Sequence, residues 1–82
     1  AFRSVRERLA ITLLNETRRR GSKETPATQL EITQQELAGL VGASRESVSR
    51  ALQKMGQQNI LRTTRGKITI MNRMQLESIA IG

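Results

Sequence analysis

The chain contains no cysteine and no histidine among its 82 residues. The missing cysteines exclude a disulfide framework, and the two absences together exclude thiolate and imidazole metal sites. They also remove the cysteine–histidine and serine–histidine pairs that activate a nucleophile in many hydrolytic enzymes. We therefore expect that this chain is not an enzyme and that it holds no metal or cofactor of its own.

Aromatic residues and long apolar runs are scarce as well. Phe2 is the only aromatic residue, which weighs against binding of single-stranded nucleic acid or RNA loops, because their bases stack on aromatic rings. No apolar run approaches the roughly 18 residues of a membrane span, and the first ten residues do not form a signal peptide. We expect one small cytoplasmic domain, residues 1–82, without membrane contact.

Negative charge is scarce in one part of the chain. The sequence carries 14 basic and 7 acidic residues, a net charge of +7. Within residues 44–73 there are seven basic residues and a single acidic one, Glu46. Charge concentrated in one segment favours a polyanionic partner, although a solvated face that serves solubility is the alternative. Duplex DNA fits this composition because its grooves are read without aromatic stacking.

A long first helix is predicted for residues 4–20, where apolar groups recur at helical spacing. Val5, Leu9 and Leu13 form one ridge of this helix. The arginines at positions 18–20 suit the negative end of the helix dipole as a solvated group. The apolar pattern is already present at the start of the chain, so we expect the sequence to begin inside a helix and to be part of a longer protein.

Two short helices joined by Gly42 are predicted next. Thr33 and Glu36 form a capping box at the start of the first, and Ser44 is a good cap for the second. Asn59 tolerates a positive φ and is predicted to end the second helix. The apolar face of the first helix comprises Leu37, Leu40 and Val41. The apolar face of the second comprises Val48, Ala51, Leu52 and Met55.

A hairpin is predicted for residues 60–71, with its turn at Arg65-Gly66. The inward residues of its second arm are Ile68 and Ile70. Residues 30–32 are a short strand candidate, and the tail forms a short final helix capped by Asn72. Two helices with a glycine turn, followed by a hairpin, predict a winged helix-turn-helix. The fold class is α+β and mainly α.

The exposed face of the second short helix carries the candidate base-reading residues. In a helix-turn-helix, the first turns of this helix contact base edges in the major groove. Arginine donates to guanine O6 and N7, and glutamate accepts from cytosine N4. The candidates are Arg45, Glu46, Ser49 and Arg50. A surface ion pair between Glu46 and Arg50 at i, i+4 is the alternative, and it is compatible with base reading.

Phosphate contacts are predicted at the two helix amino termini and at the basic wing, where free N–H groups and cations favour anions. Helix capping alone explains the presence of Thr33 and Ser44 as well as a phosphate contact does. The wing charges could instead prevent edge-to-edge strand pairing. The candidate phosphate contacts are Thr33, Gln34, Gln35, Ser44, Ser47, Lys54, Arg65 and Lys67.

The segment ITQQELAGLVGASRESVSRALQKMGQQNIL, residues 32–61, resembles the C-terminal winged helix-turn-helix DNA-binding domain of the Crp/Fnr family of bacterial transcription regulators. The likeness covers nearly the whole chain. Ser-Arg-Glu followed by Arg50 resembles the cyclic-AMP receptor branch, whose Arg, Glu and Arg read a TGTGA-type half-site. Glu46, Ser49 and Arg50 resemble the Fnr branch, whose Glu, Ser and Arg read a related half-site that shares TGA, such as TTGA.

This resemblance implies sequence-specific binding of double-stranded DNA, with residues 44–56 as the recognition helix. It implies a full-length homodimer with an amino-terminal sensor domain and a dimerisation helix, and an effector such as a cyclic nucleotide in that sensor. In the cyclic-AMP receptor branch, it implies contact between residues 21–29 and RNA polymerase. We expect the present domain alone to be monomeric and to bind weakly.

Two other function classes remain open. A winged-helix module that binds proteins instead of specific DNA is the main alternative, although such modules often lack a polar recognition helix. A basic amphipathic membrane binder is the other, but it needs bulky apolar groups exposed beside the cations.

Overall fold

A computed structural model describes residues 2–82, which form four helices and a three-stranded antiparallel sheet. In chain order the elements are α1 (Val5–Arg20), β1 (Gln29–Glu31), α2 (Gln34–Val41), α3 (Arg45–Gln57), β2 (Leu61–Thr64), β3 (Lys67–Ile70) and α4 (Arg73–Ile81). The strand order is β1-β3-β2. The predicted mainly helical α+β fold, with a helix-turn-helix followed by a hairpin, is confirmed.

The first helix, α1, begins with a capping box. The Ser4 hydroxyl accepts a hydrogen bond from the Glu7 N–H at 3.1 Å, and the Glu7 carboxylate accepts one from the Ser4 N–H at 2.9 Å. This Ser4 N–H holds the pKa of Glu7 below its ordinary value. The expectation that the chain begins inside a helix is therefore wrong. The Ser-x-x-Glu pattern was the signal for this helix start.

The last turn of α1 is built around a buried carboxylate. Glu16 is only 8% exposed, and it accepts hydrogen bonds from Arg19 at 2.7 Å and from Arg20 at 3.2 Å. Arg20 also donates to the backbone oxygen of Glu31 in β1 at 2.7 Å. The Arg19 guanidinium holds the pKa of Glu16 below its ordinary value. The prediction of a solvated helix end did not include these ion pairs. The i, i+3 and i, i+4 spacing of Glu16, Arg19 and Arg20 in the sequence was the signal for them.

The turn between α2 and α3 depends on Gly42, which has the left-handed conformation with φ = 76°. Its N–H and that of Ala43 both donate to the Ala38 oxygen, at 2.9 and 3.2 Å. Ala38 is itself 5% exposed, so the helices meet at a small side chain. The predicted tight turn is confirmed, as is the positive φ of Asn59 (60°) after α3.

The predicted core position of Leu40 is wrong, because its side chain is 55% exposed. The buried face of α2 is formed by Leu37, Ala38 and Val41. At about 100° per residue, the centre of that face lies between Leu37 and Ala38, which turns Leu40 outward.

The wing is part of a three-stranded sheet. β2 and β3 form the predicted hairpin, with Leu61 opposite Ile70. The strand candidate at residues 30–32 forms β1, displaced by one residue, and it pairs with the other edge of β3 so that Leu30 lies opposite Ile68. Ile68 and Ile70 are buried, as predicted. Because β1 leads directly into α2, the sheet holds the wing beside the helix-turn-helix.

The final helix, α4, packs on α1. Asn72 caps it by accepting a hydrogen bond from the Gln75 N–H at 3.0 Å, as predicted, and Leu76 is fully buried. Arg73 donates to the hydroxyl of Thr17 in α1 at 3.0 Å. One hydrophobic core joins all four helices and the sheet. Among residues 2–82, no helix combines the length and the apolar character needed to cross a membrane.

Candidate nucleic-acid interface

The second helix of the helix-turn-helix, α3, has one buried and one exposed face. Val48, Leu52 and Met55 are at most 1% exposed, and Ala51 is partly buried against the same core. Their i, i+3, i+4, i+7 spacing fixes the rotation of α3 about its axis. The polar residues of α3 are therefore held on the opposite side. The helix spans Arg45–Gln57, close to the predicted 44–56.

Four polar side chains line one shallow hollow on the outer face of α3, namely Arg45, Glu46, Ser49 and Arg50. These are the four predicted base-reading residues, and the structure brings all of them together. Three are exposed and Ser49 is half-buried. The hollow combines cationic donors with a carboxylate acceptor, which matches the mixed donors and acceptors of a base-pair edge. Base reading itself stays a prediction.

Glu46 and Arg50 do not form the alternative ion pair. Within residues 2–82, the ion pairs join Glu16 to two arginines of α1 and Arg73 to Glu77. Arg50 instead donates to the Ser47 hydroxyl at 3.4 Å. A bond of that length is weak, so the guanidinium is readily redirected to another acceptor.

A second groove lies between the start of α2, Arg45 and the wing. Its walls include residues 33–35 and 63–67. Gly66 has φ = 71° at the wing turn, and the cations on either side of it, Arg65 and Lys67, are exposed. The groove collects three cations and a helix amino terminus, both of which attract phosphate oxygens. It unites five predicted phosphate contacts: Thr33, Gln34, Gln35, Arg65 and Lys67.

The predicted caps are confirmed at both helix starts. The Ser44 hydroxyl accepts from the Ser47 N–H at 3.1 Å and donates to the Ser47 hydroxyl at 2.9 Å. Thr33 and Glu36 exchange two hydrogen bonds of 3.0 Å, and the Thr33 N–H lowers the pKa of Glu36. Lys54 is exposed on α3 but lines neither the hollow nor the groove. The phosphate roles of these residues stay predictions.

One contact across the interface was missed by sequence reasoning. The Ser49 hydroxyl donates a hydrogen bond to the side-chain oxygen of Gln34. Gln34 is the first residue of α2, and Ser49 lies in the second turn of α3. Helical periodicity carries no signal for a bond between side chains of two helices. The bond joins a predicted base-reading residue to a predicted phosphate contact.

The cations of the interface lack acidic partners. Within residues 2–82, none of Arg45, Arg50, Lys54, Arg65 and Lys67 takes part in an ion pair. No group of three acidic side chains in this part of the chain is placed to hold a metal ion. The uncompensated charge is therefore available to an anionic ligand.

A sequence profile for the Crp-like helix-turn-helix domain matches residues 7–79. The chain is 38% identical over 72 residues to the cAMP-activated global transcriptional regulator CRP of Salmonella typhimurium, which covers 87% of this chain and 34% of that protein. It is 33% identical over 82 residues to the cyclic AMP receptor protein of Thermus thermophilus, covering 100% of this chain and 36% of that protein. The chain thus spans about a third of the length of these curated relatives.

Solved structures show the same fold. The Thermus thermophilus catabolite activator protein superposes with a TM-score of 0.83 at 35% identity, over 95% of this chain and 34% of that one. A protein of the crp/fnr family from Eubacterium rectale superposes with a TM-score of 0.87 at 32% identity, over 96% of this chain and 34% of that one.

These relatives are transcription regulators, which confirms the expectation that the chain is not an enzyme. The profile match covers most of the chain, and the fold and the helix-turn-helix geometry agree with it. The chain belongs to the Crp/Fnr family of transcription regulators, as a Crp-like helix-turn-helix DNA-binding domain.

Proposed function

We propose that this chain binds double-stranded DNA sequence-specifically, with α3 lying in the major groove. The observation that carries the proposal is the hollow formed by Arg45, Glu46, Ser49 and Arg50 on the one face of α3 that the core leaves free. A helix with its side chains is about 10–12 Å wide, and the major groove of B-DNA is about 12 Å wide. A protein-binding helix would present apolar groups at the centre of its contact face, whereas this face presents charges.

The half-site that we propose is of the TGTGA or TTGA type. Arg45 and Arg50 supply donors for guanine O6 and N7, and Glu46 supplies an acceptor for cytosine N4. The Arg-Glu-x-x-x-Arg pattern at residues 45–50 supports the first type, by its similarity to the cyclic-AMP receptor branch. The Glu-x-x-Ser-Arg pattern at residues 46–50 supports the second, by its similarity to the Fnr branch.

We propose that DNA phosphates bind in two places. The groove between α2 and the wing accounts for five contacts, from Thr33, Gln34, Gln35, Arg65 and Lys67. The start of α3 accounts for Ser44 and Ser47, where backbone N–H groups face the ligand. Lys54 lies further along α3 and contributes a long-range attraction.

The full-length regulator that we propose is a homodimer of the bacterial cytoplasm. Two copies of this domain would then read half-sites about 34 Å apart, one turn of the duplex. A sensor domain with an effector such as a cyclic nucleotide is supported by the name of the Salmonella relative, a cAMP-activated regulator. The domain alone would be a monomer that binds a single half-site weakly.

We also propose that residues 21–29 contact RNA polymerase in the full-length regulator. The Ser22 N–H donates to the Thr25 oxygen at 3.0 Å, and the Thr25 N–H donates to the Ser22 hydroxyl at 2.8 Å. This turn presents Lys23 and Glu24 to solvent. A preformed loop loses little conformational entropy on binding. Reversing both charges should lower transcription from a target promoter without changing DNA affinity.

Selection from randomised duplex DNA at one fixed salt concentration tests the main proposal. We expect enrichment of duplexes that contain a TGA half-site. Affinity for the enriched duplex should fall steeply with added salt, because phosphate binding releases counterions. Absence of enrichment, combined with salt-independent binding to a protein, would instead support the protein-interaction module.

A further inference from the structure

We propose that Gln34 is a positioning residue that fixes the hydrogen-bond polarity of Ser49 and so determines which bases Ser49 accepts. The inference rests on the proposed function, because it requires α3 to face base edges. It starts from two facts. The Ser49 hydroxyl donates to the Gln34 side-chain oxygen, and Ser49 lies with Arg45, Glu46 and Arg50 in the hollow of α3.

The direction of this bond limits what Ser49 can do. A serine hydroxyl has one hydrogen and two lone pairs. The hydrogen is directed at Gln34, so only lone pairs remain for a base. In the major groove, adenine N6 and cytosine N4 are donors, whereas guanine O6 and N7 and thymine O4 are acceptors. Ser49 therefore selects the donor edge of adenine or cytosine and rejects guanine and thymine at the same position.

The other end of the Gln34 amide has the opposite polarity. Its nitrogen carries two N–H donors, and Gln34 is one of the residues that line the groove with Arg45, Arg65 and Lys67. A phosphate in that groove would accept from the nitrogen and hold the oxygen of the same amide against Ser49. One side chain thereby couples a backbone contact to a base contact.

The burial of both residues favours a held geometry. Gln34 and Ser49 are each half-buried, and the crossing of α2 and α3 is fixed by the turn at Gly42 and by the buried Ala38. Breaking the bond would leave two half-buried polar groups without this partner, which opposes independent movement.

Three substitutions of Gln34 separate the role of its amide oxygen, which accepts from Ser49, from the role of its amide nitrogen, which faces phosphate. Gln34→Glu keeps an acceptor for Ser49 but places a charge that repels phosphate in the groove. Gln34→Lys supplies a phosphate donor but no acceptor for Ser49. Gln34→Met is similar in length and supplies neither. Each variant is measured by fluorescence anisotropy at one salt concentration. The Ser49→Ala variant first identifies the base pair at which the chain loses its sequence preference. The probes are four duplexes that differ only at that base pair.

We expect Gln34→Glu to bind all four duplexes more weakly while keeping their order. Gln34→Lys should bind tightly but reduce the preference by roughly threefold to tenfold, the worth of one hydrogen bond. Gln34→Met should lose both affinity and preference. In a Ser49→Ala background, the three substitutions should no longer alter preference, although they still alter affinity. Thermal unfolding of each variant confirms that it is folded.

A second measurement needs no DNA. The side-chain amide NMR signals of Gln34 should shift on Ser49→Ala and stay in place on Ser78→Ala, a change at an exposed serine of α4. Unshifted signals in Ser49→Ala would contradict the contact. Equal base preference in Gln34→Glu and Gln34→Lys would overturn the inference and leave the proposed function intact. If the wild-type chain selects no half-site, the proposed function fails and the inference fails with it.

Discussion

Ion pairs of arginine occur on one side of this domain within residues 2–82. On the α1–α4 side three arginines form such pairs, although Arg6, Arg8 and Arg18 of α1 do not. Arg19 and Arg20 bind the buried Glu16, and Arg73 binds Glu77 at 3.7 Å. On the side of α3 and the wing, the cations have no ion pair within residues 2–82. Arg20 and Arg73 also join α1 to β1 and α4 to α1 by hydrogen bonds, whereas the cations around α3 and the wing remain free for a polyanion.

This difference shows why a count of charges along the sequence is a blunt guide to a DNA interface. Arg73 lies in the basic segment of residues 44–73, yet it donates to Thr17 and pairs with Glu77. Its charge is already compensated inside the domain. The interface is better defined by cations that lack acidic partners and lie around one surface, as Arg45 and Lys67 do in the groove.

The largest effect is expected from Arg50→Ala on the unpaired side. Removing a bidentate donor to guanine should cost about 1–3 kcal/mol on the best half-site and relax one base position. Stability should change little, because Arg50 is exposed and makes one long hydrogen bond of 3.4 Å. Binding to the selected duplex and to single-base variants of it measures both quantities.

Arg19→Ala is the matched control on the paired side. It should leave base preference unchanged, because Arg19 lies on α1 beside Glu16. It should instead lower stability slightly, because Arg19 is itself exposed and Arg20 still donates to Glu16. If Arg50→Ala left the base preference intact, the assignment of Arg50 to base reading would be wrong.

The next largest effect is expected from Thr17→Val on the paired side. Thr17 is fully buried, donates to the Leu14 oxygen at 2.7 Å and accepts from Arg73. Valine keeps the shape but leaves the guanidinium without this acceptor, which should cost about 1–2 kcal/mol of unfolding free energy. The melting temperature should fall by roughly 4–16 °C. A changed half-site preference in this variant would contradict the separation of the two sides.

The features that were predictable from the sequence are local in the chain. The capping box of Thr33 and Glu36, the glycine at position 42 and the hairpin turn each depend on residues within one turn or loop. The grouping of Arg45, Glu46, Ser49 and Arg50 on one exposed face was also predictable. Their place in one hollow follows from the helical period of α3 once its buried face is known.

Two of the missed features, the exposed Leu40 and the bond between Ser49 and Gln34, depend on how elements pack. Leu40 faces outward because the rotation of α2 is set by its contacts with the core and not by its own apolar pattern. Ser49 bonds to Gln34 because α2 and α3 cross at a particular angle. The bond from Arg50 to Ser47 lies within α3, and the sequence did not distinguish it from an ion pair with Glu46.

A smaller and less specific effect is expected from Lys67→Ala in the wing. Lys67 is exposed in the groove, and its amine is a point charge suited to phosphate. The substitution should weaken binding to all duplexes alike and reduce the slope of log affinity against log salt by about 1. Lys23→Ala in the loop before β1 is the control and should leave that slope unchanged. A change in base preference on Lys67→Ala would show that the wing reads bases.

The smallest effect at neutral pH concerns the carboxylates with lowered pKa values, two on α1 and one in the first turn of α2. Glu7, Glu16 and Glu36 are all lowered from an ordinary value of 4.5, the first and last by capping N–H groups and Glu16 by Arg19. A group whose pKa is lower in the folded state stabilises the fold above its unfolded pKa. That stabilisation should therefore be complete above about pH 5 and be lost as the pH falls through the lowered values.

Urea unfolding at a series of pH values from 7 to 3 measures this dependence. Glu16→Gln should be less stable than wild type at pH 7, and the difference should shrink on acidification because the wild-type carboxylate is then protonated as well. Glu46→Gln is the matched control from the interface, where the carboxylate makes no ion pair within residues 2–82. It should change stability at pH 7 less than Glu16→Gln does. An equal change in both variants would mean that the ion pairs of Glu16 do not contribute to stability at neutral pH.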